Sequence, residues 1–398
     1  MKKFLKLMWS SPLNNASRNK REMRLAIDNG YQVSVICGQL YEADRLDKEL
    51  ENIRIVSHAR DMSYVPKSKI RHLFTKIGFR LSFYALLYQE LRKNQPDVIS
   101  CENVVNLRRA YIFTLFMKKR PKLVYDSHEF EIGKRGDRRK LKLWFDILSE
   151  KYLMKRSAFT IVVNESIGQE LVDYHALQHA PVVIRSTPPN WQLDKAQIEQ
   201  TRMKICSQLG VSTNSFIVLY HGALMTQRGI ETMIEALGVH KESVGVVLGS
   251  DLEGGGYLAS LIRMAEDNGI SDRLLFHPYV PITDLWRYVG AADVGIVMIE
   301  NSCKSYYLSL PNKFLECIQS MTPIICSDFP EMSAIVNKYQ IGLTCPPSDP
   351  KALAQCISTM QTDKAMYQNF KDNLKLAKSE LSWEKERQKL QEAFDDYL

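Results

Sequence analysis

The chain has 398 residues, more than one hydrophobic core usually supports, so two domains of ordinary size are expected. With 45% hydrophobic and 25% charged residues it has the make-up of a folded soluble protein, and no run approaches the roughly 18 apolar residues that a membrane-spanning helix needs. Its formal charge of +8 is lopsided: residues 1–200 carry 35 Lys and Arg against 22 Asp and Glu, whereas residues 201–398 carry 18 against 23. The basic half points to an anionic partner. Eight cysteines without any Cys-x-x-Cys pair suggest a reducing cytoplasm, and the eight histidines lack metal-ligand spacing, so no metal is expected.

The opening Met1-Lys2-Lys3-Phe4-Leu5-Lys6-Leu7 imitates the charged end of a signal peptide, but Lys6 interrupts the apolar run, and Phe4–Trp9 reads as a first strand. After it, Asn15, Ser17 and Arg18 could contact an acceptor or a phosphate, or could form a helix cap with Arg18 exposed. Further strands are predicted at Gln32–Cys37, Ile53–Val56, Asp97–Cys101, Lys122–Tyr125, Phe159–Val163 and Val182–Arg185. Between them lie the basic stretches Lys67 to Arg80, Lys118 to Lys122 and Lys134 to Lys142. The first runs into the apolar-aromatic segment Leu81 to Tyr88, a basic amphipathic pattern that suits an anionic membrane surface; solvated lysines on ordinary helices are the alternative. Tyr125-Asp126-Ser127-His128-Glu129 follows a strand and so belongs at a cleft rim. There His128 could orient or deprotonate a hydroxyl with Asp126 or Glu129 beside it; alternatively Asp126 caps a helix and His128 packs in the core.

Prolines 188 and 189 break the pattern within Ser186 to Trp191. Domains are therefore predicted at 1–190 and 191–380, with a last helix, 381–398, crossing back to the first domain. A polar helix, Lys195 to Gly210, leads into second-half strands at Phe216–His221, Val244–Gly249, Leu274–Phe276, Val294–Ile299, Pro323–Cys326 and Gly342–Cys345. Helices are predicted near Ile230–Leu237, Tyr257–Asn268, Ile282–Ala291, Pro311–Met321 and Asp349–Met360. Alternating strands and helices predict two doubly wound α/β domains, whose ligands sit beyond the carboxyl ends of the strands.

Two segments there have phosphate-binding character. His221-Gly222 ends a strand and Arg228-Gly229 opens the next helix, which offers free N–H groups and a guanidinium. In Ser309-Leu310-Pro311-Asn312-Lys313-Phe314-Leu315-Glu316 the proline suits a first helical turn, and Asn312, Lys313 and Glu316 share a face. An ammonium at a helix start draws a diphosphate, and a carboxylate one turn on can accept from ribose hydroxyls. The alternative is an amphipathic helix with a Lys–Glu pair. Gly249-Ser250-Asp251 with Gly254 to Gly256 misses the dinucleotide spacing.

In their order these pieces resemble the family-four glycosyltransferases of the GT-B fold, bacterial surface-polysaccharide type. The resemblance is carried by Tyr220-His221-Gly222 with Arg228-Gly229, Leu274 to Pro281, Leu310 to Glu316, Asp328-Phe329-Pro330-Glu331 and Asp126 to Glu129. It implies two Rossmann-like domains facing across a deep cleft. It also implies a donor diphosphate held by Arg228 and Lys313 with Gly222, Ser309, Leu310 and Asn312, a ribose on Glu316, and a base near Tyr279 and Val280. Two positions depart from the family: Ala223 where a basic residue is usual, and Leu308 where a second glutamate is usual.

The implied activity is transfer of a sugar, with a UDP-sugar favoured, to an acceptor hydroxyl on a lipid-linked saccharide in cell-surface polysaccharide assembly. Retention is the default, without cofactor or metal, in the cytoplasm and peripheral on the inner face of the plasma membrane. A nucleotide-sugar epimerase of the same fold and a non-catalytic binding protein are the rivals. Nucleic acid is not expected as a partner, because the basic stretches lack a reading motif.

Overall fold

The computed structural model describes residues 1–8, 13, 16–38, 40–45, 47–58, 69–133, 140–254 and 256–398, with the backbone alone at 43, 69–76 and 140. Apolar β-rich runs form two parallel sheets. The first contains β1 (Lys3–Leu7), β2 (Gln32–Cys37), β3 (Arg54–Ser57), β4 (Val98–Cys101), β5 (Lys122–Ser127), β6 (Phe159–Val162) and β7 (Val182–Val183), in the order β3-β2-β1-β4-β5-β6-β7. The second contains β8 (Phe216–His221), β9 (Ser243–Leu248), β10 (Leu274–His277), β11 (Val294–Val297), β12 (Ile324–Ser327) and β13 (Gly342–Cys345), in the order β10-β9-β8-β11-β12-β13. Every pairing is parallel, and helices cover both faces, which is why β8, β9, β11 and β12 are buried at every position. Strand order reverses between β1 and β4 and again between β8 and β11, so each sheet opens a crevice at that point.

The first strand ends at Leu7 rather than Trp9, which lies outside the described residues, as does Asn15. Of the basic stretches, Lys67 and residues 134–139 also lie outside them. Leu81 to Tyr88 falls within the helix Lys69–Asn94, where Phe83 and Leu87 turn into the core while Leu81 and Tyr88 stay exposed. The predicted helix Pro311–Met321 is shorter, Asn312–Gln319. Pro311 is its extended N-cap at φ −70° and ψ 149°, and Met321 at φ 61° cannot continue it.

The domains are tied by polar contacts on buried backbone. Asn164 Nδ2 donates to the Leu308 carbonyl at 2.7 Å, and Ser166 donates through N and Oγ to Glu331 at 3.0 and 2.8 Å. Leu308 itself packs in the first domain's core with Phe130 and Val162. A glutamate there would bury a charge among apolar side chains, so the departure at Leu308 serves domain packing.

The last helix, Trp383–Tyr397, sits on the first domain although it follows the second. Leu390, Ala393 and Phe394 join the core around Phe4, whose ring stacks on Phe394 at 6.1 Å. Trp383 N donates to Pro188 O at 3.0 Å and Thr187 Oγ1 to Leu381 O at 2.7 Å, so the linker and the returning chain are laced together. A preceding helix, Lys364–Glu380, has no counterpart in the sequence prediction. Replacing Phe394 by Ala removes a buried ring and leaves a cavity, and should lower unfolding free energy by about 3 kcal/mol in urea denaturation. A loss within about 0.5 kcal/mol would mean that this helix does not anchor the first domain.

Candidate functional site

The carboxyl ends of the sheets enclose an interdomain cleft of about 450 Å3. The first domain contributes His128, Glu129, Val163 and Ile167; the second contributes Tyr220 to Ala223, Arg228, Ser305, Tyr306, Ser309 to Lys313, and Glu316.

Lys313 dominates its electrostatics. Its side chain is buried, its Nζ has no hydrogen-bond acceptor, and the ammonium lies 3.9 Å from the centre of the Tyr220 ring. Burial, with Arg228 adding a like charge, lowers its pKa to about 7. A buried cation without an acceptor is costly, and an anion entering the cleft relieves that cost.

Arg228 stands over the Tyr306 ring at 4.9 Å. The loop that carries it is held in an unusual conformation. Gln227 has φ 65°, its carbonyl accepts from Glu300 N at 3.2 Å, and its side chain accepts from Ser302 Oγ at 2.8 Å. Gly229 has φ 77°, and a Cβ there would lie 2.7 Å from the Met298 carbonyl oxygen, so only glycine fits.

Glu316, one turn beyond Lys313, is oriented by His221, whose Nε2 lies 3.0 Å from Oε2. Glu316 thus keeps acceptor capacity toward the cleft while His221 closes the strand end behind it.

Across the cleft, His128 is held from beneath: its Nε2 lies 2.9 Å from Asp126 Oδ2 and its Nδ1 3.7 Å from Glu102 Oε1. Asp126 is buried and does not line the cleft. Arg18 donates to its Oδ1 through Nε and Nη2 at 3.0 and 2.8 Å, and Lys6 Nζ donates to Oδ2 at 3.2 Å. Lys6 is wholly buried and also pairs with Glu22 and with Ser100 Oγ at 3.1 Å. Burial opposes the charge on Asp126, but Arg18, His128 and Lys6 outweigh it and hold the carboxyl well below the usual range. Asp126 is therefore a permanently ionised support for His128, not a base in contact with substrate.

Of the predicted donor residues, Gly222, Arg228, Ser309, Leu310, Asn312, Lys313 and Glu316 converge on the cleft. Tyr279 and Val280, whose backbone groups are expected near the base, are not among the residues lining this cavity: Tyr279 is 55% exposed, and the Val280 side chain packs in the second core, where Pro281 caps the helix Ile282–Gly290. On the first domain, Arg18 is turned inward to Asp126 rather than exposed, and Ser17, half-buried at the start of the helix Ser17–Asp28, also stays off the cleft lining. Sequence reasoning placed Tyr220 and His221 in a phosphate-binding motif without giving their side chains a role, and missed Tyr306 as a site residue and Lys6 as a support. A lysine alternating with leucines in a buried strand was the available signal.

Residues 202–377 match the family described as Glycosyl transferases group 1, and residues 23–187 match Glycosyltransferase Family 4. A putative teichuronic acid biosynthesis glycosyltransferase of Bacillus subtilis, TuaC, is 24% identical over 176 residues, 44% of this chain and 41% of that protein. An uncharacterized glycosyltransferase of Methanocaldococcus jannaschii, MJ1607, is 22% identical over 260 residues, 63% of each. The chain thus spans less than two thirds of the length of either relative. The crystal structure of HepE from Anabaena in complex with UDP superposes with a TM-score of 0.75 at 17% identity, covering 99% of both chains; a complex of the same protein with UDP-glucose gives 0.74.

The Lys313 shift gives a signed prediction. An anion beside the ammonium raises its pKa above the free value of about 7, so binding takes up a proton. Affinity for a nucleoside diphosphate should therefore fall as pH rises above 7, by up to about tenfold per unit, until the pKa of the bound form is reached. Calorimetry in buffers of different ionisation enthalpy reads the uptake, and Lys313→Met should abolish it. The stability of the unliganded protein has the opposite trend. A lysine whose folded pKa is depressed disfavours folding below pH 7, and stability should rise from there toward 10.5, its ordinary value.

Proposed function

Since the chain belongs to the family-four glycosyltransferases of the GT-B fold, we propose that it transfers a sugar from a UDP-sugar to an acceptor hydroxyl on a lipid-linked saccharide in cell-surface polysaccharide assembly. The observation that carries this reading is the unpartnered, buried ammonium of Lys313 beside Arg228 at the start of the helix Asn312–Gln319. UDP and UDP-glucose in HepE, a protein of the same fold, support the choice of nucleotide, and the teichuronic acid role given to TuaC supports a surface polymer.

The diphosphate lies between Arg228 and Lys313, and the ribose hydroxyls donate to Glu316. The acceptor oxygen forms its bond to the anomeric carbon as the bond from that carbon to the β-phosphate oxygen breaks. The electron pair leaves with UDP, and the two cations and the helix N–H groups stabilise the charge that develops. Transfer is retaining: the acceptor approaches on the face the phosphate leaves, and its proton passes to the departing phosphate oxygen. His128, fixed by ionised Asp126, hydrogen-bonds and orients the acceptor hydroxyl. No metal takes part, because two protein cations face the leaving group; a chelator should leave the rate unchanged.

Turnover with a UDP-sugar panel, read by mass spectrometry of the product, tests the assignment. Lys313→Ala and Arg228→Ala should each lower kcat about 10²-fold, the scale of losing one donor to a developing anion. Near-wild-type rates in both would remove the diphosphate from this cleft. Donor incubated alone should not be interconverted, and NMR of the product's anomeric proton should report retention.

A further inference from the structure

The helix Lys140–Met154 buries Leu153 and Met154 but keeps a second apolar stripe outside. Leu141, Trp144, Phe145, Leu148 and Tyr152 recur at helical spacing and would ordinarily face a core, yet they are 82, 61, 52, 43 and 46% exposed. Its carboxylates point inward instead: Asp146 pairs with Arg108 at 3.0 Å, and Glu150 accepts from Tyr125 OH at 2.6 Å and lies 3.1 Å from His175 Nε2.

The exposed stripe continues onto two neighbouring helices. Arg108 of the helix Val104–Thr114 lies over Phe145 at 4.7 Å, and Tyr111 meets Tyr152 through their hydroxyls at 3.2 Å. Phe113 of that helix in turn packs at 6.2 Å from Tyr88 of the helix Lys69–Asn94. Around this shared face Leu81, Ile112 and Phe116 are also exposed, Phe116 by 79%. An apolar face of this kind on a folded protein marks an interaction surface.

The charge around it identifies the partner. The acidic residues of the three helices are Glu90, Asp146 and Glu150, and all are buried. The exposed charges are cationic, and several stay at the aromatic rim: Arg92 lies over Tyr88 at 5.7 Å and Arg156 over Tyr152 at 3.5 Å. Exposed Lys142, Lys118 and Arg120 add to them, while Lys119 is paired with Asp97. Aromatics with basic residues at their margin match a bilayer interface that carries anionic headgroups. A second copy of the chain would set the same cations against one another. Among the described residues no helix is long and apolar enough to cross a membrane, so the contact is superficial.

We propose that the three-helix face centred on Trp144 and Phe145 is a docking surface for an anionic lipid leaflet. It deepens the proposed function by naming the surface from which a lipid-linked acceptor is met. The helix Lys140–Met154 follows the segment that carries His128 and runs back from the cleft end of the sheet, so docking there keeps the cleft near the leaflet.

Flotation of the full chain with phosphatidylcholine vesicles, with and without phosphatidylglycerol, tests this apart from catalysis. Binding should require the anionic lipid and weaken with salt, by roughly fivefold for each cation removed. Tryptophan emission should shift to the blue on binding, and the shift should be lost in Trp144→Phe. The double variant Trp144→Ser with Phe145→Ser should bind anionic vesicles roughly tenfold more weakly or worse, with UDP affinity unchanged as the check on folding. Equal binding to neutral vesicles, full binding by the double variant, or a dimer that the double variant dissolves in place of vesicle binding would each overturn the proposal. Intact lipid binding without UDP binding would instead count against the proposed function alone.

Discussion

Lys313 places a charge where the fold alone gives it nothing to pair with. In a cleft wall where it faces the Tyr220 ring, a buried ammonium loses its hydration, and the effective penalty for such a group is several kcal/mol unless a partner is supplied. The protein lowers that penalty by easing the proton off, and a phosphate anion removes it. Much of the second domain maintains this arrangement. Gly229 lets the chain pass Met298, the strained Gln227 fixes the Arg228 loop, and Pro311 sets the helix start so that its free N–H groups and Lys313 address one point.

The first domain solves the reverse problem. Beneath His128, two cations, Lys6 and Arg18, and two carboxylates, Glu22 and Asp126, pair in a buried network, with Lys6 held above its ordinary pKa because Glu22 and Asp126 outweigh its burial; Glu22 Oε1 is left without a hydrogen-bond partner. A paired network of this kind adds little to net stability but gives the side chains one arrangement. The second-domain wall of the cleft thus presents a cation without an acceptor, whereas His128 on the first-domain wall rests on paired charges.

Much of this was legible in the sequence because it depended on local signals. Parallel strands buried on both faces leave continuous apolar runs, and the Pro-Asn-Lys helix start is visible in the residues themselves. What was hidden depends on contacts distant along the chain. Lys6 looked like an interruption until its partners 16 and 120 residues away were in place. Arg18 was expected at an acceptor or a phosphate, or exposed beside a helix cap, but is drawn inward by Asp126. Leu308 stood out only as a departure from the family's usual glutamate, and its burial in the first domain's core with its carbonyl bonded to Asn164 puts the position at the domain interface. The apolar stripe of residues 141–152 follows the pattern of a core helix, and only the burial of Asp146 and Glu150 reveals which way it faces.

The first domain presents His128 on its cleft side and exposed Trp144 and Phe145 on its flanking helices, the face proposed to meet a leaflet. Both roles depend on a donor held first by the second domain, so the charge state of Lys313 is the decisive quantity. NMR titration of the lysine side chains, with Lys313 assigned through the Met variant, reads it directly with and without UDP. A free pKa near 7 that rises by at least about one unit when UDP is bound is the result expected. A Lys313 signal that titrates at the same pH in both states would contradict the claim that this buried ammonium is the seat of the diphosphate.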